Sequence, residues 1–194
     1  MLSQTSKSIC MRVSSRLLIC MAVASVVAPL PASTLQQLTL DDMIQKSTAI
    51  VRARIVGAHT ESRGTGSGAD IYTFFQLQVV ETWKGASRKP SEVAIPGGVS
   101  NGIRQMVTGA PELKAGQEYV LFLWTGRSGL TQVIGLSQGV FKLSEEGSGG
   151  GIAMRPAASE LMLNASGQPV EDRPLSIPVQ DLRTRVRKAL GAAK

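Results

Sequence analysis

The sequence predicts a mainly β fold: a small antiparallel barrel with a short N-terminal helix and a C-terminal amphipathic helix. Three observations predict it. Apolar residues recur with a period of two in several segments between Ala49 and Leu143. Clusters of Gly, Pro, Asn and Ser punctuate those segments as turns. Helical spacing is confined to the two ends of the region, around Leu40 and after Pro178.

Thr39-Leu40-Asp41-Asp42 reads as a helix start, with Thr39 as the cap and an acid three positions on. The helix runs to about Ser47 and shows Leu40, Met43 and Ile44 on one side. Over 49–57, Ala49, Val51, Ala53 and Ile55 alternate with Ile50, Arg52, Arg54 and Val56, which makes a strand with one apolar face. A Gly- and Ser-rich loop is expected over 59–69. A long strand follows over 71–83, with Ile71, Phe75, Leu77, Val79 and Trp83 on one parity, closed by a turn at Trp83-Lys84-Gly85.

Short strands are expected at Glu92–Ile95 and Ile103–Val107, separated by the breaker Pro96-Gly97-Gly98. Tyr119–Trp124 is apolar on both parities and reads as a central strand covered on both faces. Leu130–Leu136 and Val140–Leu143 complete a meander. The barrel is thus assigned to residues 33–145, with an irregular linker over 146–177. From Pro178 the stripe Val179, Leu182, Val186 and Leu190 makes an amphipathic helix over 178–194, with arginines on its other face.

Residues 1–32 read as a secretory signal. Lys7, Arg12 and Arg16 precede the apolar run Leu17–Ala28, which is too short to span a bilayer and ends at Pro29 and Pro31. Cleavage is placed after Ala32; a cut after Ala28 fits the small-residue rule but leaves Pro29 behind it. A lipid anchor on Cys20 is disfavoured by the bulky Ile19 before it. The expected location is therefore exported, periplasmic or secreted, with no stable membrane span after cleavage.

Removing the leader changes the inventory. Cys10 and Cys20 leave with it, so the remaining chain has no thiol for a disulfide, a thiolate metal site or a nucleophile. The net charge falls from +7 to +4, and without the five basic residues of 183–194 the body is −1. The high pI belongs to a leader and a tail, so no nucleic-acid partner is expected.

Three segments carry a family resemblance: Ser47-Thr-Ala-Ile-Val-Arg-Ala-Arg-Ile-Val-Gly57, Tyr72-Thr-Phe-Phe-Gln-Leu-Gln-Val-Val-Glu-Thr-Trp-Lys-Gly85 and Leu113-Lys-Ala-Gly-Gln-Glu-Tyr-Val-Leu-Phe-Leu123. Their order resembles the netrin-like module shared with tissue inhibitors of metalloproteinases, over roughly residues 35–143. That resemblance implies an oligonucleotide/oligosaccharide-binding (OB-like) barrel. The family's inhibitors chelate a protease zinc through an N-terminal cysteine exposed by cleavage, and disulfides brace the module. This chain has no cysteine after residue 32, so the resemblance implies the fold and not that mechanism. The chain also resembles exported bacterial proteins of unknown function.

The chemical inventory is sparse. His59 is the sole histidine, which leaves a Ser-His-acid site without a marked serine and rules out a zinc site of several imidazoles. Glu61, Asp70, Glu81, Glu92, Glu112 and Glu118 are available for glycosidase chemistry, but no spacing pairs them. Gly64–Gly68 and Gly147–Gly151 lack the Gly-Lys-Ser/Thr ending of a phosphate loop. Arg52 and Arg54 share a strand face, as a solvent-facing pair or a contact for an acidic partner.

The loop Pro96–Arg104 stands out, because three glycines and an Asn permit positive φ and close backbone approach. Gly97, Gly98, Asn101 and Arg104 are the expected binding residues, with Trp124 as a stacking platform. No catalytic residue, metal or cofactor is expected. The function expected is an exported, non-enzymatic binding module whose partner is an exported protein or an envelope polysaccharide. The alternatives are a cysteine-independent protease inhibitor and a small secreted hydrolase.

Overall fold

The computed structural model describes residues 34–64, 68–85, 90–144 and 151–191. The expected signal segment, with Cys10 and Cys20, lies outside these residues, as do most of the Gly-rich segments 64–68 and 147–151. Residues from Ser33 onward form one unit.

In chain order the elements are β1 (Thr34–Gln36), α1 (Leu40–Lys46), β2 (Ala49–Arg63), β3 (Asp70–Lys84), β4 (Glu92–Pro96), β5 (Gly98–Ser100), β6 (Ile103–Gln105), β7 (Glu118–Thr125), β8 (Thr131–Val133) and β9 (Val140–Leu143). Then come β10 (Ile152–Arg155), β11 (Leu161–Leu163), β12 (Pro169–Val170), β13 (Leu175–Pro178) and α2 (Val179–Gly191). The fold is mainly β with a C-terminal helix, as the sequence predicts.

Five strands close a ring. β7 pairs with β2, β2 with β3, β3 with β4, β4 with β8, and β8 returns to β7. Around the ring, the five strands stand in the chain order first, second, third, fifth, fourth, which is an OB-like arrangement. Every pair is antiparallel except β4–β8, which meets in parallel at Ala94 and Gln132. Three register shifts bend β2 against β3, so that two long strands can wrap a small barrel. The other end of the sheet extends from β7 through β9 and β10 to β13.

β7 divides the molecule into two cores. Leu121 and Leu123 point into the barrel with Val51, Ala53, Ile55, Val93 and Ile95. Val120 and Phe122 point outward, under α1 and α2, with Ile50, Phe141, Met43, Ile44 and Leu182. All five residues from Tyr119 to Leu123 are buried, as expected of a strand apolar on both parities.

α1 begins with a reciprocal cap. Asp42 N–H donates to Thr39 Oγ1 at 3.0 Å, and Thr39 N–H donates to Asp42 Oδ2 at 3.1 Å. At its other end Lys84 Nζ donates to the carbonyls of Ile44 and Gln45. Gln138, fully buried, accepts from Leu38 N–H and donates to Gln36 O, which ties the N-terminal segment to the turn after β8.

Several boundaries differ from expectation. β2 continues to Arg63 through the first part of the expected loop, because β3 offers partners as far as Asp70. The strand expected over 130–136 is only three residues long and gives way to a 3-10 turn at Leu136–Gly139. Pro178 ends β13 rather than entering the helix. The largest correction concerns the linker expected over 146–177. Its described part carries β10 and most of β13, which extend the main sheet, and β11 and β12, which form a small sheet with β1. A buried, bidentate Arg155–Asp172 pair locks this region; Asp172 also accepts from Ala158 N–H, and Arg155 donates to Arg173 O.

Candidate functional site

Pro96-Gly97-Gly98 leads out of β4 into a hairpin with a two-residue turn at Asn101-Gly102. Both turn residues have positive φ, 51° and 77°, as a type I′ turn requires. The root of the hairpin is bonded to β3. Gly97 N–H donates to Ile71 O at 2.7 Å, and Thr73 Oγ1 donates to Gly97 O at 2.8 Å. Ile71 N–H donates to Gln105 Oε1 at 2.6 Å. Gly98 is packed so closely that a β-carbon would stand 2.6 Å from Thr73 Oγ1 and 2.9 Å from Thr60 Cγ2.

A groove of about 490 Å³ lies beside the hairpin. Phe75, Ile95 and Pro96 line it with Val99, Arg104 and Met106 of the hairpin and with Pro111, Leu113 and Lys114 across from them. A smaller crevice of about 270 Å³ shares Ile95, Pro96 and Pro111 with it and is also lined by Trp124, Gln132 and Ile134. A third depression, of about 470 Å³, lies along Pro111, Tyr119, Lys142 and Met154. All three meet at Pro111.

Of the eight large apolar side chains exposed among the described residues, four line these depressions, while Val56, Val80 and Leu161 line none of them. Val99 is 51% exposed, Met106 84%, Trp124 46% and Met154 39%, and each lines one of the three depressions. Ile103, 65% exposed, stands at the hairpin tip. Large apolar groups left in water on one rigidly held surface mark an interaction site more often than scattered ones do.

Of the five residues expected to bind, Gly97, Gly98 and Arg104 line the groove, and Asn101 shapes the tip of its hairpin. Trp124 lines the neighbouring crevice. Its ring lies over Gly126, where a β-carbon would approach it to 3.0 Å, so one part of the expected platform is covered. Sequence reasoning missed Val99, Ile103, Met106 and Pro111. Val99, Ile103 and Met106 sit on or beside short strands, where an apolar residue ordinarily signals burial; only the projection of the hairpin exposes them.

Of the residues weighed for catalysis, Glu112 lines the groove, and His59, Glu61, Glu81 and Glu118 are engaged elsewhere. His59 meets Glu61 at 3.2 Å and stacks on Phe74, with ring centroids 5.3 Å apart. No hydroxyl is among its hydrogen-bond partners in the described residues. Arg63 lies over the same Phe74 ring at 4.8 Å, beside a polar groove of about 640 Å³ that none of the exposed large apolar side chains lines. Glu118 is clasped by Arg52 at 2.7 Å and Arg54 at 3.1 Å. Burial alone would raise its pKa, but the two guanidiniums outweigh burial and hold it below the usual carboxylate range. Glu81 pairs with Arg183 of α2. Among the described residues no group of three or more His, Cys, Asp or Glu is placed to hold a metal, and no helix is long and apolar enough to cross a membrane.

In comparisons with known proteins, no family model matches the chain and no curated protein matches it.

Proposed function

We propose that this protein is an exported, non-enzymatic binding module that engages another exported protein through the surface around Pro111. The observation that carries the reading is the exposure of Val99, Ile103 and Met106 on and beside one hairpin that is hydrogen-bonded to the barrel at its root, with Trp124 and Met154 in depressions that share Pro111 with its groove. A protein suits this surface better than a polysaccharide. Sugar sites use open aromatic faces beside polar groups, whereas the most exposed groups here are aliphatic.

Cross-linking of the full chain in an exported-protein fraction should repeatedly recover one species. Ile103→Asp and Met106→Asp, both at exposed positions, should reduce that recovery at least about tenfold, the cost of burying an unpaired charge in an interface, and leave thermal stability unchanged. Equal recovery by the wild type and both variants would defeat the reading.

A second reading draws on the same rooted hairpin: inhibition of a co-secreted protease by insertion of the hairpin, without any thiol. Titration of such proteases with the chain at micromolar concentration tests it, and full residual activity removes it.

A further inference from the structure

The form of the partner can be argued from the main chain of the hairpin. Ser100 and Ile103 flank a two-residue turn, so they form the hydrogen-bonded pair, and so do Gly98 and Gln105 two positions back. Val99 and Arg104 are then the non-bonded pair, and their N–H and C=O groups point away from the hairpin. On the β5 side the chain is fastened to β3 through Gly97 and Thr73. On the β6 side no strand follows among the described residues. Among the described residues neither main-chain group of Arg104 has a partner in another element, and Met106 continues the edge without a main-chain bond.

Three features coincide there. The edge of β6 is open and carries no proline; its one charge, Arg104, faces the groove. Arg104 and Met106 of this edge line the apolar groove. The groove also holds two cations, Arg104 and Lys114, neither in an ion pair among the described residues, against a single carboxylate, Glu112. A helix would bring no main-chain groups to the open edge. An extended strand brings them, and it presents alternate side chains to the groove.

We infer that β6 accepts an extended segment of the partner as a third strand of the β5–β6 hairpin, with apolar side chains of that segment in the groove and a carboxylate near Arg104 and Lys114. This rests on the binding reading above and specifies its chemistry.

Random linear twelve-residue peptides displayed on phage, panned on the immobilised full chain, test it. Enriched sequences should alternate apolar and polar residues and carry an acid. A synthetic copy N-methylated on one edge should bind about tenfold or more weakly, the loss of roughly one to two hydrogen bonds, and N-methylation leaves the protein itself untouched. Arg104→Glu should weaken the unmodified peptide, and a Lys-for-acid peptide should recover the loss. Absence of enrichment, or equal binding of the N-methylated copy, overturns the inference. The cross-linked partner separates this failure from that of the broader reading. If Met106→Asp abolishes recovery of the partner while Arg104→Pro, which removes the outward N–H and the charge and also fixes φ at this position, does not, strand addition falls and the binding surface stands.

Discussion

Gly98 and Gly102 stand four residues apart in one hairpin and are glycines for different reasons. Gly102 has φ +77° and open space where a β-carbon would stand, so its constraint is backbone conformation alone. Gly98 has φ +141° and also lacks room against Thr73 and Thr60. Gly102→Ala should therefore cost about 1 kcal/mol. Gly98→Ala should cost about 2 kcal/mol or more, because it adds a clash at the root to the strain. Urea midpoints at a common slope measure both, and a larger loss at Gly102 would contradict the packing described at the root. The need for Asn and Gly at the turn was legible in the sequence, since few other residues tolerate positive φ. The crowding at Gly98 was not, since Thr60 and Thr73 reach it only through the pairing of β2 with β3.

Among the elements, the strands of residues 152–178 hang on one buried interaction. Arg155 and Asp172 are 7% and 4% exposed and bond through both oxygens of the carboxylate. Burial would raise the pKa of Asp172, but the hydrogen bonds and positive charge of Arg155, together with main-chain hydrogen bonds at Ala158 and Arg173, outweigh burial and hold it below the usual range. Asp172→Ala leaves a guanidinium buried without its partner and should cost roughly 3–5 kcal/mol. The pH dependence follows from the direction of the shift. A carboxylate with a lowered native pKa stabilises fully above its unfolded value, about 4, and that stabilisation is lost as pH falls through the lower native value. The wild type should thus lose most of its advantage over Asp172→Ala between neutral pH and the acid side of that window. Urea unfolding at a series of pH values checks this, and a constant gap would show that the pair contributes packing only. This region read as a linker because its strands are two to four residues long and interrupted by prolines, too short for any alternation to register. Its strand character comes from partners far away in sequence, such as Thr34 for Leu161 and Ile177 for Ala153.

At the scale of the whole molecule, the basic helix is a structural part of the fold. Val179, Leu182 and Val186 of α2 are buried in the outer core, and Arg183 and Arg185 reach Glu81 of β3 and Asp41 of α1. Two arginines that raise the pI of the tail are thereby spent on docking it. Leu182→Ala should cost about 2–5 kcal/mol through the cavity it leaves. Arg185→Ala, which breaks a pair exposed on both sides, should cost less than about 1 kcal/mol. Thermal melts of the two variants decide between an apolar and an ionic dock, and the reverse ranking would favour the ionic one.

What the sequence by itself determined was local: most of the strands between residues 49 and 143, that β7 is covered on both faces, where α1 starts, and where the chain can turn with positive φ. Each of these depends on neighbours within a few residues, through side-chain periodicity, capping and backbone sterics. Only the tertiary structure decided that β8 closes the barrel against β4 and β7, that residues 152–178 form strands, and that Val99, Met106, Trp124 and Met154 line depressions sharing Pro111. Those outcomes depend on pairings between residues far apart in the chain. A periodic pattern records which face of a segment is apolar, but it does not record what that face meets or whether anything covers it.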